Sequence, residues 1–536
     1  MLMFHRTLVM VPLQALHPSG FFVTSFAPTF APKQILPFQS LFASKKYEND
    51  EETAYSPDFI ANEILENDVD PACLIDDEDC LAISSHSSSA SSLRDSSLSQ
   101  SLQRRSESLL KEKHLRNWKR GRCPTTKVSI SRSDAVRRVC MDQYPIVACG
   151  SASGSIYLVD LEKQSVLACQ EAHIPMQSLE TGRSELKKQA MEKLYGKLDG
   201  GGVISVAIRE SVVASSGREG GIKLWRIEST STHKPQNEDI QLVSLGSLKA
   251  LQNTIVTSIK FDSNGLLWVS CYDGTVRSYD VSDWQYNHND QDKSDSLQKK
   301  VFPSTKPVHR TDFTAAVLDM HLCEDLNIGV CATADGSAAL FSLEDGQFFV
   351  GIMLFEVAAR SVSIVKHHDE CDRNVDMDGR STSAPGYSVL CGSMDGSIHR
   401  ISLNIGPSGK VDMNDPFEVT DETETAIRPR HVGPVMCLTS SGSGMFVSGG
   451  QDGALRVWVM EVGVDHTYAD GKSEQSTQRQ SMVKCKCVYA LTGYKLWLGS
   501  ACISQTGDRL VSDGGENNII VRDFSMEGGN DDITSR

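Results

Sequence analysis

The feature that most limits what this chain can fold into is a repeat. Residues 447–458 read VSGGQDGALRVW. This is a small-residue strand end, a glycine turn with an acid, and an alternating strand that ends on tryptophan. Aligning the chain on Asp452 yields six further blocks: CGSASGSIYLV (149–159), SSGREGGIKLW (215–225), VSCYDGTVRSY (269–279), CATADGSAALF (331–341), CGSMDGSIHRI (391–401) and SDGGENNIIVR (512–522). Glycine supplies positive φ in such turns, and alternation turns one face of each strand towards a neighbouring sheet. Ahead of most blocks lies a short apolar strand: VISVAI (203–208), VTSIKF (256–261), VLDMHL (317–322), VSIV (362–365) and VMCL (435–438). One small sheet cannot bury both of its faces. Sheets repeated around an axis can, and they leave only short edges. The expectation is an all-β fold of about seven radially packed sheets.

These blocks resemble the WD-repeat family. The resemblance implies a seven-bladed WD40 β-propeller over residues 127–526, with a partly disordered, partly helical region before it and a disordered tail at 527–536. The family's buried tetrad maps onto His431 of RHVGPV, Ser448, Asp452 and Trp458. In that arrangement the carboxylate meets the imidazole, the imidazole meets the hydroxyl, and the hydroxyl meets the indole N–H, so every buried polar group is paired. Other copies depart from the pattern. Ser153, Glu219 and Glu516 stand where Asp is expected, and Tyr279, Phe341 and Arg522 stand where Trp is expected. Spacing often exceeds the usual 40–45 residues or so. The excess lies in polar stretches read as loops at 229–239, 283–300, 367–387 and 465–481. SELKKQAMEKLYGKL (184–198) reads instead as a short surface helix with Leu186, Ala190, Leu194 and Leu198 on one stripe. KVSISR (127–132) is expected as the outer strand beside the last blade, as is frequent in this family.

Composition narrows the function. A net charge of −16 argues against general nucleic-acid binding. No run of apolar residues reaches the roughly 18 needed to span a membrane. The 15 cysteines are scattered without a CxxC pair and read as reduced packing residues. Cys485 and Cys487 share one face of a strand and read the same way. There is no Walker-type loop, GxSxG or HExxH, so the expectation is a non-enzymatic protein with no cofactor and no metal. DRNVDMDG (372–379) resembles a calcium loop, but its closing ligand position falls on Pro385. It reads as an acidic surface loop, with HHDEC (367–371) part of it.

The front of the chain carries two competing signals. Residues 1–48 hold a basic start, a moderately apolar run, TSFAP and a second FAP, with no acidic residue before Glu48. This resembles the bipartite plastid presequences of algae with complex plastids, and Phe26 would follow the signal peptide. The alternatives are a disordered tail or a misplaced start codon. Residues 49–126 resemble a degenerate F-box of F-box/WD-repeat proteins. SPDFIANEILENDVDPACL (56–74) matches its opening through Pro57, Ile64, Leu65, Asp70, Pro71 and Leu74. ESLLKEKHLRNWKRGRC (107–123) matches its end, with Leu109, Leu110, Leu115 and Trp118 as apolar anchors. The leucine usually found before the proline is missing, and the alternative is an amphipathic helix packed on the propeller. Between them, 84–108 is serine-rich and reads as a disordered insertion. Arg104 and Arg105 before Ser106 fit a kinase site or a solvated linker.

Positive charge suggests where partners bind. Arg137, Arg138, Arg310, Arg360, Arg428 and Arg430 are read as preceding or beginning innermost strands, at the top rim. Converging guanidinium forks suit an acidic or phosphorylated protein; the alternative is local pairing with acids. Two functions follow. One is a substrate receptor of the F-box/WD-repeat type that docks a Skp-type adaptor and a cullin ubiquitin ligase through Pro57, Ile64 and Leu65, in cytoplasm or nucleus. The other is a WD-repeat scaffold or assembly factor without a ligase link, possibly targeted to a plastid.

Overall fold

The computed structural model describes residues 95–131, 134–173, 202–282, 306–367, 386–464 and 481–526, apart from short stretches within those spans (218, 230–239, 249–250, 252–253, 407, 413, 419–425, 443, 492–493, 495–497 and 515–516). Most of both signals at the front of the chain lies outside this set. So do the expected helix at 184–198, the calcium-like loop, Glu516 and most of the four polar loops.

Seven antiparallel sheets form a closed propeller. Blades 1 to 6 occupy residues 136–171, 203–248, 256–312, 317–353, 359–427 and 435–491. Blade 7 joins 501–523 to a strand from the front of the chain: Thr125–Ser129 pairs with Asn518–Asp523, Lys127 opposite Ile520. The ring is therefore closed by both ends of the propeller sequence, through the strand expected for this role. Each block contributes the second and third strands of its blade, and the apolar segment before it forms the innermost strand.

Small residues at the strand ends follow from crowding. A Cβ on Gly396 (φ +88°) would lie 2.0 Å from the His431 carbonyl oxygen, and one on Gly336 (φ +92°) 2.2 Å from that of Phe355. Only glycine fits these turns, both by backbone angle and by contact. Apolar clusters fill the seams between blades. Trp268 of blade 3 packs on Phe341 of blade 4 at 5.4 Å between ring centroids. Cys485 and Cys487 pack beside Trp458 and Phe446.

Among the described residues, one helix, α1 (Asp95–Arg120), precedes the propeller. The serine-rich stretch expected to be disordered is thus helical from Asp95 onwards. Serine is only mildly unfavourable inside a helix, and the segment runs without interruption into residues that anchor it. Trp118 is fully buried, stacks on Phe524 at 3.7 Å and donates from Nε1 to the Gly507 carbonyl at 2.7 Å. Asn117 donates to the Phe524 carbonyl at 2.8 Å. Gly121 (φ +62°) then stops the helix. Of the four expected anchors, Leu115 and Trp118 pack on blades 6 and 7, whereas Leu109 and Leu110 are exposed. Among the described residues, no helix is long and apolar enough to cross a membrane.

Candidate interaction face

One face of the propeller, here the top, carries the acidic turns and the segments that enter the innermost strands. Its loops are tied together by backbone hydrogen bonds that recur from blade to blade. The first turn residue donates to the carbonyl just ahead of the innermost strand: Tyr272 to Ile255 at 2.8 Å, Ala334 to Ala316 at 2.8 Å, Met394 to Ala358 at 3.0 Å and Gln451 to Pro434 at 3.0 Å. The side chains between these bonds are therefore displayed on a rigid frame.

In blade 6 the frame is reinforced by the tetrad. His431 Nδ1 meets Asp452 at 2.9 Å, His431 Nε2 meets Ser448 Oγ at 2.8 Å, and Trp458 Nε1 donates to Ser448 Oγ at 2.9 Å. Asp452 also accepts from the Val432 N–H at 3.1 Å and from Arg456 at 3.1 Å. Burial alone would raise the Asp452 pKa, but His431, the Val432 amide and Arg456 outweigh it and hold the carboxyl well below the usual range. Burial lowers the pKa of His431.

Three blades show substitutes that the sequence reading missed. Blade 2 has a complete second tetrad. His173 Nδ1 bonds Glu219, His173 Nε2 meets Ser215 Oγ at 2.9 Å, and Trp225 Nε1 reaches the same hydroxyl at 3.3 Å. Glutamate's extra methylene bridges the gap, and the long insertion after His173 hid the spacing. In blade 1, where Ser153 replaces the acid, Asp134 supplies the carboxylate from the entering segment. It accepts from Ser153 Oγ at 2.5 Å and Tyr157 OH at 3.0 Å. In blade 7, Tyr494 stands in for histidine and Arg522 for tryptophan. Arg522 donates to Tyr494 OH at 2.7 Å, and that hydroxyl meets Ser512 at 3.1 Å.

The six candidate arginines do not converge. Arg137 and Arg360 are buried in innermost strands. Arg138 donates to the carbonyls of Ile204 at 2.5 Å and Gly499 at 3.2 Å. Arg310 lies in the outermost strand of blade 3 rather than ahead of an innermost strand, and pairs with Asp312 at 2.8 Å. Arg428 and Arg430 alone share an exposed loop, and Arg430 pairs with Asp395 at 3.0 Å.

What does gather at the top is apolar. Tyr272, Ala316, Ala334 and Ala358 pack over buried Ile204, Ile255 and Leu318. Val357 (43 % exposed), next in sequence to Ala358, and Val432 (79 % exposed), in the segment entering blade 6, are exposed on the same face. In sequence, the visible signal was a bulky Tyr272 in a turn position that holds alanine in two other blades.

This closed ring of seven antiparallel sheets, six of four strands and one of five, defines a β-propeller. Residues 243–280 and 423–459 match the family model described as WD domain, G-beta repeat. Each match runs from the lead-in to an innermost strand through the third strand of its blade. The matches and the seven blades together support placing the chain with the WD-repeat proteins, whose propellers generally act as protein-interaction modules rather than enzymes. No curated protein matches the chain significantly.

Proposed function

We propose that this protein is a non-enzymatic docking module. The top of its propeller binds a protein over the apolar arc from Tyr272 to Val432, with Arg428 and Arg430 at its edge for an acidic side chain. The observation that carries this reading is the partly exposed apolar cluster on a backbone-tied frame, with Val357 and Val432 exposed on the same face, because contiguous apolar patches mark association surfaces. Val357→Asp with Val432→Asp should release a co-purifying partner without moving the unfolding midpoint. A partner retained by the folded double variant would end this assignment.

The finer reading is a substrate receptor of the F-box/WD-repeat type for a cullin ubiquitin ligase. It is supported by the resemblance at 56–74 and 107–123 and by the firm seating of Leu115 and Trp118 on the propeller's underside, which frees the top for a substrate. Ile64→Asp with Leu65→Asp should abolish co-purification of a Skp-type adaptor. If the wild-type chain brings down no adaptor, the alternative stands: a scaffold without a ligase link. A fusion of residues 1–50 to a fluorescent protein then decides between plastid and cytosol.

A further inference from the structure

A cavity of 530 Å³ runs along the propeller axis. At its upper end Ile204, Thr257, Leu318, Arg360 and Met436 line it, and all five are buried. Each is the second residue of its innermost strand, where the register shifts by a bulge. At the lower end the lining residues Gln143, Glu210, Ser263, Glu324 and Gln505 are exposed. The cavity is therefore closed at the top and open on the underside.

The polar groups below this closure are used up in joining blades. Ser205 Oγ accepts from the Ile259 N–H at 3.1 Å, Asp319 from Val362 N–H at 3.1 Å and Ser500 from Val139 N–H at 3.1 Å. Nearer the mouth, Asp142 accepts from the Glu210 N–H at 2.9 Å and Gln505 at 3.1 Å, and Asp262 accepts from Trp268 Nε1 at 2.8 Å.

The tier between is different. Lys260 of blade 3 and His321 of blade 4 face the cavity side by side, with Cys140, Ala207, Thr439 and Cys502 elsewhere around the ring. This tier has no carboxylate. Among the described residues the Lys260 side chain makes no hydrogen bond and no ion pair. His321 Nδ1 is buried without a hydrogen-bond partner. Burial first, and the Lys260 charge second, push the His321 pKa down to about 3, so the ring stays neutral and keeps one N–H to donate. An ammonium in a confined cavity without a counter-charge is costly unless something supplies one.

We propose that this tier is a binding site for a small oxyanion, held by the Lys260 ammonium and the neutral His321 ring and reached from the underside. A carboxylate or phosphate matches a point cation with an adjacent N–H. The acids at the mouth, Asp142, Glu210 and Glu324, oppose approach rather than residence. Association should therefore be slow, and added salt should speed it by screening the mouth.

The test is calorimetric titration of the full-length protein with inorganic phosphate and, separately, with succinate. Saturable binding of either at one site per chain is expected. Lys260→Met should weaken it about tenfold or more, the effect of losing one charge-assisted hydrogen bond, and Lys260→Arg should retain it. The unfolding midpoint of each variant checks folding; if Lys260→Met does not fold, His321→Leu replaces it and should also weaken binding. No binding of either anion to the wild-type protein, or equal binding to folded Lys260→Met, overturns the proposal.

Discussion

Asp452 and Asp513 sit near the top of neighbouring blades, and their surroundings drive them in opposite directions. The Asp452 side chain is 12 % exposed and meets donors on every side: His431, the amides of Val432 and Ala454, and Arg456. Asp513 is fully buried. One of its oxygens accepts from the Gly499 N–H at 3.0 Å, and the other has no partner. Arg137 and Arg138 lie close enough to act through space, but Arg138 directs its N–H groups to backbone carbonyls. Burial raises both carboxyls. At Asp452 the donors overcome it, whereas at Asp513 they do not, and the pKa is pushed up to about 7. Donors aimed at a carboxylate, more than depth, decide whether a propeller blade carries its charge cheaply.

The largest expected effect comes from removing the well-served carboxylate. Asp452→Ala leaves His431 and Arg456 facing an empty position and should cost about 3–5 kcal/mol, the range for breaking a partly buried charged network. Its pH dependence is fixed by sign. The folded-state pKa of Asp452 is lowered, so its contribution is complete above its unfolded pKa near 4 and fades as pH falls through the folded value. His431, also lowered, adds an acid penalty that begins below about pH 6.5. Urea unfolding at pH 7, pH 4 and pH 3 should show the gap between wild type and Asp452→Ala nearly unchanged down to pH 4 and shrinking below it. A gap that stays constant would mean that the tetrad is not the source.

Glu219→Ala should cost less, about 1–2 kcal/mol. Among the described residues Glu219 serves mainly His173, and its second oxygen has no partner. If Glu219→Ala proved as damaging as Asp452→Ala, the number of donors would not be what separates the blades.

The propeller was legible because its signals are local. Turn glycines, alternating strands and the His431 tetrad lie within single blades, and even the closing strand announced itself by pattern. The substitutes were not legible, because they depend on partners brought together by the fold. Asp134 covers for Ser153 from a position where the repeat pattern places no acid, and His173 reaches Glu219 across 46 residues. Arg522 looked like a defect where tryptophan belongs, yet it is one half of a pair with Tyr494. The rim arginines misled for a related reason. Sequence position gave the strand of most of them but not the direction of the side chain, and the bulge at the second residue turns Arg137 and Arg360 inwards. The apolar arc escaped because it collects single residues from four blades.

The last expected effect, no larger than that of Glu219→Ala, is also the sharpest test of the comparison, because it predicts a gain. Asp513→Asn keeps an oxygen to accept the Gly499 N–H and removes the charge that burial resists. With a folded-state pKa near 7 against about 3.9 unfolded, the folded wild-type protein holds an extra proton between those values, so its stability falls as pH rises from 4 to 7. The advantage of Asp513→Asn should therefore be slight at pH 4, grow through that window and level off above pH 7, at about 1–2 kcal/mol. Unfolding midpoints of the two proteins at pH 5 and pH 8 measure it. If the asparagine variant were instead weaker at pH 8, Arg137 and Arg138 would be holding Asp513 ionised. The two carboxylates would then obey one rule rather than two.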